Sequence, residues 1–373
     1  MSAVRYHEGC FPPEQLEWER LIPLIGPANA AVARYDGILS ALPNAEVLLS
    51  PLTTQEAVLS SKIEGTQATM GEVLEFAANE RGKQYPEAKR NDIQEVLNYR
   101  KALRHAMAQL NDIPLSNRVL LETHRVLLDS VRGHGKAAGA FRKIPNWIGP
   151  GGCTMETARY IPISADKLPE AMGHLELYMH EEKVSDKLVQ LAIIHAEFEA
   201  LHPFLDGNGR LGRMLVPLFL WQVGLIRAPM FYVSSYLESH REAYYDRLLA
   251  ISRDNEWTGW CAFFLEAIIE QATENSDKAT RILKLYNDKK TEMVDLTHSQ
   301  YSLLALDWIF EQPIFSSSDF VESAGIPAPT ARRILTVFRD TGLLKVLVVP
   351  SGRRAGVYAF AELLNIAEGH DAF

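Results

Sequence analysis

The chain has little cysteine. Cys10, Cys153 and Cys261 are scattered through 373 residues with no CxxC pair. That spacing excludes a disulfide scaffold and a cysteine-rich structural zinc site, and makes a reducing compartment the default. A surplus of positive charge is also missing. Lys and Arg number 38 against 47 Asp and Glu, a formal net charge of −9. Broad non-specific affinity for nucleic acid is thereby disfavoured, although a local basic patch remains open. The opening "MSAVRYHEGCFPPEQLEWER" has no apolar core of secretory-signal length. "MLVPLFLWQVGLI" is too short to cross a bilayer and is flanked by Arg213 and Arg227. These absences lead to an expectation of a cytoplasmic protein with no membrane partner.

What is present is ordinary globular material. The apolar fraction is 47% and the charged fraction 23%, enough for two or three domains with real cores. Most of the chain reads as helix. "TTQEAVLSSKIEG" opens at Thr53 with Glu56 three residues on, a capping-box pattern, and closes at Gly65. Residues 91–110 place Ile93, Val96, Leu97, Ala102, Leu103 and Met107 on one stripe. "SNRVLLETHRVLLDSV" begins at a Ser116 cap, and residues 185–202 begin at Ser185 and are apolar nearly all round, as a central helix would be.

The segment 135–165 breaks this habit. "KIPNWI" and "ARYIPI" are short and partly β-branched or aromatic, with "GPGG" between them, which predicts a protruding two-stranded flap. From about residue 296, three helical stretches precede "KVLVVPSGRRAGVYAF". The last piece reads as two strands joined by a turn with Gly352, Arg353 and Arg354, so this end resembles a winged helix-turn-helix. Arg332 and Arg333 would stand near the start of its recognition helix. Four arginines on two contact surfaces would suit DNA phosphates, whereas the slight excess of acids from residue 296 onward suits a protein-docking or dimerising unit.

The most informative stretch is "LHPFLDGNGRLGRMLVPLFL", residues 201–220. Pro203 should end the preceding helix near His202. Gly207, Asn208 and Gly209 form a tight turn that lets backbone N–H groups approach a ligand. A new helix starts at about Gly209. Its first turn carries partial positive charge, so Arg210 is unfavourable there, by roughly 0.3–1 kcal/mol. Arg213 shares that helix face. Two guanidiniums, a helix start and a glycine turn call for a strongly anionic partner, and polyphosphate fits best. Asp206 beside such a site would repel the anion unless a cation such as Mg²⁺ lies between them. His202 could act as a general base. A zinc centre is disfavoured, because His195 and His202 are seven residues apart and the arginines would repel a bare metal. Each piece also has a bland reading: a histidine before proline is often structural, and a GNG turn is often only a turn.

"HPFLDGNGRLGR" resembles the Fic motif, HxFx(D/E)GNGRxxR, at every fixed position, and the resemblance covers about residues 50–270. It implies transfer of AMP from ATP to a protein hydroxyl, with ATP as co-substrate and Mg²⁺ as cofactor. By that resemblance, His202 deprotonates the target hydroxyl and Asp206 holds Mg²⁺ on the α- and β-phosphates. Gly207, Asn208 and Gly209 form an anion hole, with Asn208 also touching phosphate. Arg210 binds β/γ oxygens and Arg213 pairs with the γ-phosphate; Leu211 and Gly212 complete the nucleotide-binding stretch. The flap edge Asn146, Trp147, Ile148 and Gly149 would align a target segment by main-chain pairing, and Tyr244 and Tyr245 would lie near the nucleotide.

"SSKIEG" fits the family's inhibitory pattern [S/T]xxxE[G/N] through Ser60, Glu64 and Gly65. By resemblance, Glu64 pairs with Arg213 and takes the place of the γ-phosphate. The expected architecture is mainly α. An N-terminal helical region (1–110) carries the inhibitory helix (53–65), and a Fic-type helical core with a β-hairpin flap follows (111–270). A linker helix (271–295) leads to a C-terminal winged helix-turn-helix (296–373). Expected partners are a target protein modified on Ser, Thr or Tyr, the chain itself, a second copy as a homodimer, and, through the winged helix, DNA. The competing reading is a winged-helix transcription regulator whose Fic portion senses nucleotide. Two variants within the fold are another phosphate donor, or removal of AMP.

Overall fold

The computed structural model describes residues 3–78, 85–129, 135–351 and 355–373; the expected wing residues Gly352, Arg353 and Arg354 lie outside the described residues. The first half contains β1 (Val4–Arg5), α1 (Trp18–Ala41), α2 (Ala45–Leu48), α3 (Ser50–Ile63), α4 (Met70–Ala78), α5 (Glu87–Leu110), α6 (Asn117–Leu127), β2 (Tyr160–Ile161) and α7 (Leu168–Met179). The second contains α8 (Lys187–Leu201), α9 (Asn208–Gln222), α10 (Ser234–Ser239), α11 (Arg241–Asp254), α12 (Trp257–Thr297), α13 (Ser302–Glu311), β3 (Ile314–Ser316), α14 (Ser317–Ser323), α15 (Ala328–Asp340), β4 (Lys345–Val348), β5 (Val357–Ala359) and α16 (Ala361–Glu368). The protein is mainly helical. Two compact units divide it. One comprises Met1–Asp36, Leu59–Thr66 and Leu97–Thr273, the other Gly37–Val58, Gln67–Val96 and Glu274–Phe373.

In the first unit, α8 is the central rod. Leu188, Leu191, Ala192, Ile194, His195 and Phe198 are all fully buried, so an all-round apolar sequence finds a partner on every side. His195 is part of this core. Its Nδ1 lies 3.0 Å from the Gly212 carbonyl and its Nε2 2.9 Å from the Tyr244 hydroxyl. Its ring stacks on Trp260 at 5.8 Å, and burial drives its pKa down to about 3.

Helix boundaries depart from the sequence expectations in instructive ways. α3 begins at Ser50, not Thr53. Pro51 suits a first turn, and the Thr53 hydroxyl bonds back to the Leu49 carbonyl, as a mid-helix threonine does. α5 starts at Glu87 rather than residue 91. The cap of α8 is Asp186, not Ser185: its Oδ1 accepts from the N–H of Leu188 and Val189 at 2.9 and 3.0 Å. Gly65 follows α3 with φ +102°, a conformation that favours glycine.

The expected two-stranded flap is reduced to one bridge. Ile148 N–H donates to Tyr160 O at 2.9 Å, and Tyr160 N–H returns the bond to Ile148 O at 3.0 Å. Pro162 and Pro150 stand at the next bonding positions on either side and supply no N–H, so the ladder stops there. β2 instead pairs in parallel with β1, Val4 with Tyr160 and Arg5 with Ile161.

The second unit contains the C-terminal region. There α13, α14 and α15 accompany a three-stranded antiparallel sheet of order β3-β5-β4. β3 was not expected from sequence; Ile314 and Phe315 are buried in it. The hydrophilic helix read as a linker belongs to the 41-residue α12.

Candidate functional site

The site grows from the turn between α8 and α9. His202 ends α8 at φ +45°, ψ +62°, a left-handed conformation that is uncommon for a side-chain-bearing residue. Gly207, at φ +79°, caps α9. Asn208 closes the turn on itself: its Oδ1 accepts from Phe204 N–H at 2.8 Å and its Nδ2 donates to Phe204 O at 2.9 Å. Both ends of this amide are therefore held by backbone. The first helical bond runs from Leu211 N–H to Gly207 O, which leaves the N–H groups of Asn208 and Gly209 outside the ladder at the positive end of the helix. His124, unforeseen from sequence, supports the turn from α6. Gly139 N–H donates to its Nδ1 at 2.9 Å, so Nε2 carries the proton and donates to Asp206 O at 3.0 Å. The ring stacks on Phe204 at 3.7 Å.

Arg213 lies one turn into α9 and its side chain is 1% exposed. Its Nε donates to Ser60 Oγ at 2.9 Å, and its Nη2 donates to Ser60 O at 2.8 Å and to Glu64 Oε1 at 2.7 Å. The Glu64 carboxylate also lies over Gly209, where a Cβ would stand 2.1 Å from Oε1. Only glycine permits this approach to the helix start. Burial works against the charge of both partners. The guanidinium nevertheless holds Glu64 below the usual carboxylate range, helped by Arg210 and His202, and Glu64 raises Arg213 above its usual value, with Tyr244 and Glu199 adding. Arg210 donates to Asp206 Oδ1 at 3.2 Å. The Asp206 side chain is 39% exposed. Leu211 is buried, and Gly212 packs where a Cβ would stand 2.2 Å from Glu199 Oε1.

A cavity of about 380 Å³ opens beside this pair. Glu64, His202, Gly209 and Arg213 meet there with Ile148 and Gly149 from the flap and Arg241, Tyr244 and Tyr245 from α11. His202 is half-buried, and its Nδ1 is buried without a hydrogen bond among the described residues. Burial lowers its pKa to about 4, against the raising effects of Glu64, the Glu199 backbone and Asp206; Arg142 lowers it further. The imidazole is thus neutral at ordinary pH. Glu199, three residues earlier on α8, also lines the cavity. Burial raises its pKa to about 8, Arg213 lowers it and Glu64 raises it. Sequence reasoning missed it, because a lone Glu in a helix carries no pattern.

The tyrosines divide. Tyr244 is fully buried and bonded to His195, so it is core as well as cavity wall. Tyr245 is half-buried, with its hydroxyl 3.5 Å from Ile63 O and Arg241 5.8 Å from its ring centre. In the flap, Trp147 Nε1 donates to Cys153 O at 2.9 Å and leaves the indole 41% exposed. The Asn146 side chain turns inward and donates to His202 O and Phe204 O at 3.3 and 3.2 Å.

Among the described residues no three His, Cys, Asp or Glu side chains group to hold a metal ion, and no helix is long and apolar enough to cross a membrane. Outside the Glu64–Arg213 pair, Asp206 offers a partly exposed carboxylate. That donor set fits Mg²⁺ bound mainly by phosphate oxygens and water.

A family model described as Fic/DOC family N-terminal matches residues 22–108, and one described as Fic/DOC family matches residues 114–220. The chain is 33% identical over 86 residues to a probable protein adenylyltransferase of Aquifex aeolicus, covering 23% of this chain and 27% of that protein. It is 27% identical over 169 residues to protein adenylyltransferase fic-1 of Caenorhabditis elegans, covering 43% and 30%. These matches therefore span under a third of those relatives' length. Among solved structures, a Fic family protein of Desulfovibrio desulfuricans has a TM-score of 0.60 at 20% identity, covering 94% of this chain and 98% of that one. Fic-1 of C. elegans (residues 134–508) has a TM-score of 0.53 at 19% identity, covering 74% and 78%.

Proposed function

Since the chain belongs to the Fic/DOC family, we propose that it is a protein adenylyltransferase that moves AMP from ATP to a side-chain hydroxyl of a target protein, and that Glu64 holds it inactive. The observation that carries this reading is the Glu64 carboxylate resting over Gly209 and on Arg213. An anion already occupies the helix start and the buried guanidinium, where a nucleotide's terminal phosphate would bind.

With Glu64 displaced, Arg213 takes the γ-phosphate and Arg210 the neighbouring oxygens. The N–H groups of Asn208 and Gly209 point at the phosphate chain. Asp206 would hold Mg²⁺, which supplies charge neutralisation on the α- and β-phosphates when bound. Asn208 serves chiefly to shape the loop, because both ends of its amide are bonded to Phe204. The target segment lies along Asn146–Gly149 and presents its hydroxyl to His202. The hydroxyl oxygen forms a bond to the α-phosphorus, the bond from that phosphorus to the β-phosphate bridging oxygen breaks, and pyrophosphate leaves. His202, neutral at working pH, accepts the hydroxyl proton on the nitrogen opposite its buried Nδ1. Positioning supplies most of the acceleration.

The test is intact-mass spectrometry of wild type and Glu64→Gly after incubation with ATP and Mg²⁺. A gain of one AMP, stronger in the variant and absent when His202→Ala is added, supports the reading. No gain on the chain itself or on proteins of a cell extract refutes it.

A second reading rests on the C-terminal region. α15 leaves Arg332, Arg333 and Thr336 exposed, as a DNA-contacting helix of a winged helix-turn-helix would. On that reading the chain is a regulator that senses nucleotide, and His202→Ala leaves its nucleotide and DNA responses intact.

A further inference from the structure

The last turn of a helix leaves carbonyls without partners in the helix, and a buried end needs others to satisfy them. At the end of α8 the carbonyls of residues 200–204 are all taken, and the 142–160 segment reaches every one. Tyr160 Oη donates to Ala200 O at 3.0 Å. Arg142 Nη2 donates to Leu201 O at 3.3 Å and its Nε to His202 O at 2.9 Å. Arg142 N–H donates to Pro203 O at 2.9 Å. Asn146 Nδ2 reaches His202 O and Phe204 O, and Asn208 Nδ2 also reaches Phe204 O. Arg142 further donates to Ile144 O at 3.4 Å and to Ile163 O.

Arg142 is 2% exposed, and its guanidinium bonds to four carbonyls rather than to a carboxylate. A cation suits this place because a helix C-terminus carries partial negative charge. The residue it holds, His202, has a strained left-handed backbone, and such strain persists only where the surroundings over-determine it. The clamp therefore fixes the backbone that aims the imidazole, and it joins that backbone to the base of the flap.

We propose that Arg142 is a positioning residue that fixes the His202 backbone so that its imidazole is aimed into the cavity. The inference rests on the adenylyltransferase reading for its kinetic consequence, but not for its physical one. The groups facing His202 are Glu64 from the end of α3, Asp206 from the motif loop, the Glu199 backbone from α8 and Arg142 from the flap base. Only Arg142 among them favours the uncharged ring. Burial disfavours the charged ring most and Arg142 adds to it, so removing that charge lets His202 bind a proton more readily without undoing the effect of burial.

The experiment uses the full chain in a Glu64→Gly background with Arg142→Met or Arg142→Lys. NMR titration of the His202 ring, assigned by its loss in His202→Ala, needs no ATP. The expected midpoint rises by about half a unit or more in Arg142→Met and stays in place in Arg142→Lys, which keeps the charge. AMP incorporation should show kcat down by about tenfold or more in both, with the KM for ATP unchanged, because a lysine cannot span the carbonyls. A folded Arg142→Met protein with an unmoved midpoint and unmoved kcat overturns the proposal. If that variant does not fold, Arg142→Lys decides it: lowered kcat at an unmoved midpoint supports the clamp, and unaltered kcat refutes it. If no Glu64→Gly protein incorporates AMP, the adenylyltransferase reading fails while the titration still decides the role of Arg142.

Discussion

Arg213 Nη2 donates to two oxygens at once, the Ser60 carbonyl at 2.8 Å and Glu64 Oε1 at 2.7 Å. One carboxylate and one stretch of α3 thus hold the same buried cation.

Glu64→Gly should free that cation for a phosphate. AMP incorporation is expected to rise by about tenfold or more, given the charge-assisted hydrogen bond that no longer competes. The same substitution should lower stability by about 1–2 kcal/mol. Breaking a wholly buried pair costs more, but Glu64 is 35% exposed and solvent screens part of the loss. Thermal melts should show the drop, and saturating ATP with Mg²⁺ should reverse much of it by binding only the folded state.

Asn208→Ala should cost about 1–3 kcal/mol, because the buried Phe204 N–H loses its acceptor. Asn208→Asp should recover only part of this, since a carboxylate accepts from that N–H but cannot donate to Phe204 O. Urea unfolding of the three proteins checks the order. A melt of Asn208→Ala equal to wild type would contradict the closed turn.

Glu199→Gln should remove an alkaline limb. Above about pH 8 the wild-type carboxyl ionises and sets negative charge beside Arg213, so the KM for ATP should climb there. In the glutamine variant it should stay flat. The sign for stability follows from the raised folded pKa. The folded protein holds an extra proton between the ordinary 4.5 and about 8, so stability is fully present below that window and falls as pH rises through it. Melts of the variant should lose this slope.

Asp206→Asn should raise the Mg²⁺ concentration needed for half-maximal transfer by about tenfold or more, with EDTA abolishing activity in both forms. The variant also tests the Arg210–Asp206 contact, half of which is exposed. Its melting temperature should therefore move little. An unchanged Mg²⁺ requirement would remove Asp206 from its assigned place.

Residues 202–213 were legible because their chemistry is contiguous: an arginine at a helix start, a glycine turn and an acid conflict with one another unless an anion and a cation are added. Glu64 was legible only through its spacing from Ser60 and the family pattern. Arg142, Glu199 and His124 were not, since each acts across the fold on a backbone or a side chain that no local spacing announces. Asn208 was read as a phosphate contact, whereas its amide is engaged by Phe204. The helix starts at Thr53 and Ser185 were misplaced because a nearby Pro51 and Asp186 compete for the same role. The flap ladder was overestimated because two prolines remove donors that alternation alone does not count.

The pairing of Val4 and Arg5 with Tyr160 and Ile161 fills one side of the short strand nearest the cavity. On the adenylyltransferase reading proposed above, an arriving polypeptide would pair along Ile148, because both sides of Tyr160 are already taken.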